Sequence, residues 1–188
     1  GIASLAICPV IVASSVIAIN NLIRQVSLRA DFDFLTRVYS RSGLYEVLKT
    51  RPCDTAEQHI TVMLLDIDYF KSVNDNYGHE CGDYVLTALA RQVSDVVGSQ
   101  GLVARMGGEE FAVAAKTRNA EEGYRLAEAV RAHIAASQFQ WRQQTLQVTV
   151  SIGIGNGYTE NRTLLDTFNT LIVEADDFLY QAKKRGRN

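Results

Sequence analysis

The chain has 188 residues, 47% apolar and 21% charged, with a net charge of −2, enough for one globular domain with a proper core. No basic excess marks a nucleic-acid binder. Cys8, Cys53 and Cys81 are widely spaced and form no CxxC pair; they read as reduced thiols of a cytosolic setting rather than a disulfide framework or zinc site. His59, His79 and His133 are equally scattered, so a histidine-based metal site is not expected.

The chain begins at Gly1 without a methionine and stops after a basic run, which suggests a segment of something longer. Residues 1–23 carry no charge, and Ile2 to Ile19 is almost wholly apolar or small. That is about the length that spans a bilayer core, roughly 20 residues. A signal peptide fits less well, since no basic residue precedes the apolar run. A buried core helix is the alternative, disfavoured by Pro9 and by apolarity on all sides. Arg24 and Arg29 follow, and the positive-inside rule then puts the next domain in the cytoplasm. The preferred reading is a membrane helix and connecting helix over residues 1–30, holding a following domain, residues 31–188, at the cytoplasmic face of a membrane.

Asp33-Phe34-Leu35-Thr36 breaks the connector, and Ser40 or Ser42 caps a helix through Leu44, Val47 and Leu48. His59 to Asp66 has no polar face, as expected of a central strand covered on both sides. Tyr84 to Val97 is helical by the spacing of its apolar residues. Leu102 to Met106 and Phe111 to Ala115 read as strands joined by a Gly107-Gly108 hairpin turn. Ala120 to Ala136 is a helix, Leu146 to Ile154 alternates as a strand, and a final helix through Leu171, Ala175 and Leu179 ends in Lys183, Lys184, Arg185, Gly186. This order predicts an α/β sandwich with a mainly antiparallel sheet flanked by helices, of ferredoxin-like or palm type.

Two acidic clusters carry the chemistry. Glu109 and Glu110 follow the glycine pair, and Asp66-Ile67-Asp68 closes the first strand. Alone, Gly-Gly-Glu-Glu reads better as a solvated hairpin end than as a site. Beside a strand ending in Asp-x-Asp it forms the layout that two-metal phosphoryl transfer requires, because hard divalent ions take carboxylate and carbonyl oxygens and leave sites for phosphates. Glycine at the tip also lets backbone approach a ligand closely. Adjacent glutamates on a strand point to opposite faces, so the two can have different roles. Asp68 reads as a structural residue of the turn.

The residues that carry a resemblance run through the chain in order: Asp33 to Thr36, Asp66 to Lys71, Asn74-Asp75, Gly78-His79, Gly82-Asp83, Arg105 to Phe111, Thr149 to Gly153, Ala175-Asp176, Leu179-Tyr180, Ala182-Lys183 and Gly186-Arg187-Asn188. Over about residues 30–188 the chain resembles the GGDEF family, the diguanylate cyclases, in its GGEEF form. The resemblance implies a palm fold of the nucleotidyl-cyclase kind. It implies condensation of two GTP molecules, one on each protomer of a homodimer, to cyclic di-GMP and two pyrophosphates. It also implies two Mg²⁺ or Mn²⁺ ions, with Asp66, the Ile67 carbonyl and Glu109 as ligands and Glu110 as general base or further ligand. Asn74 and Asp83, with His79 nearby, match the guanine-reading positions. Lys71, Lys183 and Arg187 match phosphate contacts, and Gly107 and Gly108 the tip that faces substrate. A carboxylate at Asp83 suits the donors N1–H and N2–H₂ of guanine, which adenine lacks; a cyclase of adenine dinucleotides is disfavoured on that ground. Taken singly, Lys183 and Arg187 read as surface charges at a helix end, Asn74 as turn chemistry and Asp83 as the N-cap of the helix from Tyr84.

Two departures stand out. Arg37 occupies a place where the family has glycine, which bears on how the connector packs. The family's product-inhibition motif, Arg-x-x-Asp, falls on Gly98-Ser99-Gln100-Gly101; it lacks both guanidinium and carboxylate, so no primary inhibitory site is expected. The alternative function is a degenerate GGDEF domain that binds nucleotide and signals without turnover.

Overall fold

The computed structural model of the chain describes residues 12–22, 31–51 and 56–187. Residues 12–22 form a helix, α1, exposed along its whole length. Among the described residues no helix is long and apolar enough to cross a membrane. The rest of the expected anchor and connector, Cys8, Cys53 and Asn188 lie outside the described residues.

From residue 31 onward the elements are β1 (Tyr39–Ser40), α2 (Arg41–Thr50), β2 (His59–Ile67), α3 (Phe70–Tyr77), α4 (His79–Val97), β3 (Gly101–Gly107), β4 (Glu110–Thr117), α5 (Ala120–Ala136), β5 (Phe139–Trp141), β6 (Gln144–Leu146), β7 (Val150–Tyr158) and α6 (Leu164–Lys184). Five strands form one sheet in the order β1-β3-β4-β2-β7, and β5–β6 is a separate hairpin. β1 runs parallel to β3 and the other pairings are antiparallel, so the mainly antiparallel α/β sandwich read from the sequence is what forms.

Strand β2 organises the core because both its faces are apolar. Met63, Leu65 and Ile67 belong to one buried cluster with α4 and α5, while Ile60, Val62 and Leu64 belong to another with α2 and α6. Each such side chain, fully buried, contributes about 1.5–3 kcal/mol. β7 runs against β2 and carries glycine toward α6. A Cβ at Gly153 would stand 1.8 Å from the Ala175 carbonyl oxygen, and one at Gly155 2.2 Å from that of Leu171. Only a bare backbone lets α6 lie this close. Cys81 is buried as a free thiol, and burial pushes it above its ordinary pKa.

Four expectations need correction. The helix expected from Tyr84 begins at His79, so Asp83 lies inside α4 and Gly78, at φ 85, is the N-cap. A further short helix, α3, fills what the sequence left unassigned before it. The hairpin turn is Gly108-Glu109, one residue later than Gly107-Gly108, because Gly107 pairs with Glu110 across a bulge after Arg105. The single strand expected over Leu146–Ile154 is two, β6 and β7, because β6 pairs with β5 in the separate hairpin while β7 joins the main sheet beside β2. Ser40 caps α2 as expected, its side chain accepting the Gly43 N–H at 3.1 Å. Arg37, in glycine's place, adopts a left-handed φ of 64 and stacks its guanidinium 5.2 Å from the Phe34 ring centre.

Candidate active site

Asp66 stands directly opposite Glu110 of β4 on one side and Ser151 of β7 on the other. Opposite residues on antiparallel strands share a face, with Cβ atoms about 5 Å apart. Strand alternation therefore sets both carboxylates on the face covered by α2 and α6, in phase with Leu64 and Ala112. From α6, Lys183 reaches Asp66 with Nζ 2.9 Å from Oδ2; Asp66 is 17% exposed and Lys183 34%.

Glu110 is held above the usual carboxylate range. Burial is the main cause, followed by the adjacent Asp66; Lys183 opposes the shift, and Asp176 and Glu109 add to it. Lys183 thus offsets only part of the crowded negative charge. Among the described residues no group of three or more His, Cys, Asp or Glu side chains is gathered closely enough to hold a metal alone. Mg²⁺ does not need one: it binds through one or two carboxylates and completes its shell with water and substrate phosphates. Asp66, Glu110 and the carbonyls of the β2 end suit that donor set.

The hairpin tip is tied down from two sides. The Ile67 N–H donates to the Glu109 carbonyl at 3.4 Å. Arg105 Nε donates to the Gly108 carbonyl at 2.9 Å, while Arg105 Nη1 sits 3.2 Å from Asp33 Oδ2. Asp33 is fixed in turn by the Thr36 N–H at 2.8 Å and the Thr36 hydroxyl at 2.7 Å. Burial pushes the Asp33 carboxyl up, but the Thr36 hydrogen bonds and the Arg105 cation together hold it below its ordinary pKa. A Cβ at Gly107 or Gly108 would meet nothing within 4 Å, so the space beside the tip is open, and Gly108 at φ 53 turns the chain. A cavity of about 680 Å³ lies alongside, lined by Asp33, Ser42, Tyr45, Met106 and Gly108 among others.

Asp68 is buried, and its carboxylate accepts the Thr149 hydroxyl at 2.6 Å and the Ser151 hydroxyl at 2.7 Å. That is the structural role expected of it. After it the chain turns sharply into α3 at Tyr69, whose φ is 56 and whose side chain caps nothing. The first N–H groups of α3 therefore lack a side-chain cap, a ready anion-binding arrangement.

The remaining candidates fall into two groups. Arg187 joins Lys183 near the β2 end, its guanidinium 4.7 Å from the Tyr69 ring centre. Asn74, His79 and Asp83 lie along the α3–α4 junction, where a Cβ at Gly82 would stand 2.0 Å from Asn74 Oδ1; that close packing sets Asn74 beside the helix turn bearing Asp83. Lys71, His79 and Asp83 are exposed. Sequence reasoning gave no role to Arg105 and did not pair it with Asp33. The Asp-x-x-Thr turn was a local signal for Asp33, but a partner 72 positions away leaves no local trace.

A profile described as "Diguanylate cyclase, GGDEF domain" matches residues 30–188. The probable diguanylate cyclase DgcF of Escherichia coli K12 is 61% identical over 188 residues, all of this chain and 59% of that protein. Its counterpart in Escherichia coli O157:H7 is 62% identical over the same length, 40% of that protein. The chain thus spans roughly half the length of these curated relatives. Among solved structures, the coiled coil and GGDEF domain of DgcB from Caulobacter crescentus, in complex with c-di-GMP, superposes with a TM-score of 0.77 at 28% identity, over 93% of this chain and 92% of that one. Diguanylate cyclase SiaD from Pseudomonas aeruginosa, in complex with its activator SiaC, gives 0.71 at 28% identity, over 94% and 68%.

Proposed function

The chain belongs to the GGDEF family of diguanylate cyclase domains, and from that footing we propose that it condenses two GTP molecules to cyclic di-GMP with release of two pyrophosphates. The observation that carries the proposal is the register of Asp66 with Glu110 beneath the tied-down glycine tip, with Lys183 on Asp66. Asp66, the Ile67 carbonyl, Glu109 and Glu110 would hold two Mg²⁺ or Mn²⁺ ions. When bound, such ions neutralise phosphate oxygens and make a 3′-hydroxyl a better nucleophile toward the α-phosphate.

The chain's own residues do the rest. Lys71, Lys183 and Arg187 neutralise the triphosphate and the departing pyrophosphate. The uncapped start of α3 adds backbone N–H donors to the same anion. Gly107 and Gly108 leave room for substrate at the tip. Asp83 and Asn74 read guanine, with His79 beside them at the α3–α4 junction. An unpaired Asp83 facing adenine would lose a few kcal/mol, roughly a hundredfold in preference.

One domain binds one GTP, so two copies facing head to tail complete the site. Residues 98–101 give a product no guanidinium or carboxylate to grip, so turnover escapes inhibition at that place. The uncharged stretch before Arg24 supports residues 1–30 as an anchor and connector, with the catalytic domain, 31–188, at the cytoplasmic face of the inner membrane.

The test is a competition assay in which GTP and ATP at equal concentration are offered with Mg²⁺ over a range of protein dilutions. The proposal expects products from GTP alone and specific activity that falls on dilution. Nucleotide binding without turnover, from a preparation shown to be dimeric, would favour the degenerate signalling domain instead.

A further inference from the structure

We propose that Tyr69 is a positioning residue for the triphosphate: its ring holds the Arg187 guanidinium at the mouth of the site. The inference rests on the reading of Arg187 as a phosphate contact. Tyr69 follows Asp66 by three residues, and its φ of 56 is a backbone conformation that bulky side chains rarely adopt. Such a conformation survives where the surroundings over-determine it. Here Asp68 on one side is locked by two hydroxyls and by its own N–H to the Thr149 carbonyl at 2.9 Å. On the other side the Tyr69 carbonyl accepts the Ser72 N–H at 2.8 Å and starts α3.

The ring that results is 66% exposed, which core packing does not explain. Arg187 explains it. The tail beyond α6 reverses through Gly186 at φ 119 and Arg187 at φ 68, and the Arg187 N–H returns to the Ala182 carbonyl at 3.0 Å, closing the helix in the Schellman manner. That reversal lays the guanidinium over the Tyr69 ring at 4.7 Å, while Lys183 of the same helix end binds Asp66. One helix terminus thus delivers two cations to neighbouring points of the β2–α3 junction.

The two attachments differ in kind. Lys183 is held by a carboxylate, whereas Arg187 is held by an aromatic face, with no carboxylate paired to it among the described residues. A cation held over a ring face by the π system spends no N–H on an acceptor, so the guanidinium donors stay available for a bidentate phosphate contact. An acidic partner would have consumed those donors.

The experiment measures steady-state kinetics with GTP and Mg²⁺ on the whole chain, for Tyr69→Phe, Tyr69→Leu, Tyr69→Asn, Arg187→Ala and the Leu/Ala double variant. Asparagine tolerates the left-handed backbone, so it removes the ring without adding strain. The expected result is a KM for GTP raised about three- to tenfold in the Leu and Asn variants, with kcat nearly unchanged and Phe close to wild type. In the Arg187→Ala background the Leu substitution should add nothing. Leu and Asn variants with wild-type KM, beside a raised KM in Arg187→Ala, would overturn the Tyr69 role alone; so would a Leu effect undiminished without Arg187. An Arg187→Ala variant with unchanged KM would instead remove the phosphate role of Arg187 and the inference with it.

Discussion

Glu110 meets two opposed demands. Burial and the facing Asp66 raise its pKa, so its protonated form stabilises the fold fully below its ordinary 4.5, and that contribution is lost as pH rises through the raised value. Ionising Glu110 in the metal-free domain therefore sets two carboxylates against each other, a repulsion that a cation would relieve. Glu110→Gln should raise the melting temperature of the metal-free domain while lowering turnover at least about a hundredfold; thermal melts beside a cyclase assay check both halves. Arg105 acts one step removed, linking the Gly108 carbonyl to Asp33. Arg105→Ala leaves a partly buried carboxylate and a tip carbonyl without that donor, at a cost of about 1–3 kcal/mol, read as a lowered urea midpoint. Turnover should drop as well, because the hairpin that carries both glutamates loses one of its ties.

At the scale of elements, β7 and β2 set what the rest can do. Gly153→Ala drives a methyl group into the backbone of α6, where no rotamer can relieve it. The expected loss is roughly 3 kcal/mol, seen as a lowered denaturation midpoint. At the far end of β2, His59 is buried, with Nδ1 2.7 Å from the Thr117 hydroxyl, which in turn sits 2.8 Å from that of Thr61. Burial lowers the His59 pKa, with Glu122 opposing. The neutral ring thus contributes stability that is fully present above about pH 6.5 and lost as pH falls through the lowered folded-state value. Denaturation midpoints measured from pH 8 to pH 5 should decline below 6.5, and His59→Gln should flatten that part of the curve. β2 was legible because an unbroken apolar run has few other fates, and Ser40 because its cap is local. The start of α4 was not, since Gly78 at a positive φ makes a cap with no side-chain signature. Nor was the Gly108-Glu109 turn, whose position depends on a bulge set by pairing across β3 and β4. The Arg187–Tyr69 stack joins residues 118 apart by number and needed the fold to be seen.

For the molecule as a whole, the candidate site is built where separate parts of the chain meet: the β2 end, the β3–β4 tip, the α3–α4 junction and the terminus of α6. Family resemblance identified most of these residues from sequence, because ordered motifs survive where long-range geometry leaves no local mark. What the fold adds is which carboxylate faces Asp66, and what holds the tip still. The most direct measurement is product stoichiometry. The purified chain, wild type and Glu110→Gln, is given GTP and Mg²⁺, and cyclic di-GMP and pyrophosphate are quantified by chromatography. The account predicts one cyclic dinucleotide for every two pyrophosphates from the wild type and neither from the variant; equal product from both, or none from a dimeric wild type, would contradict it.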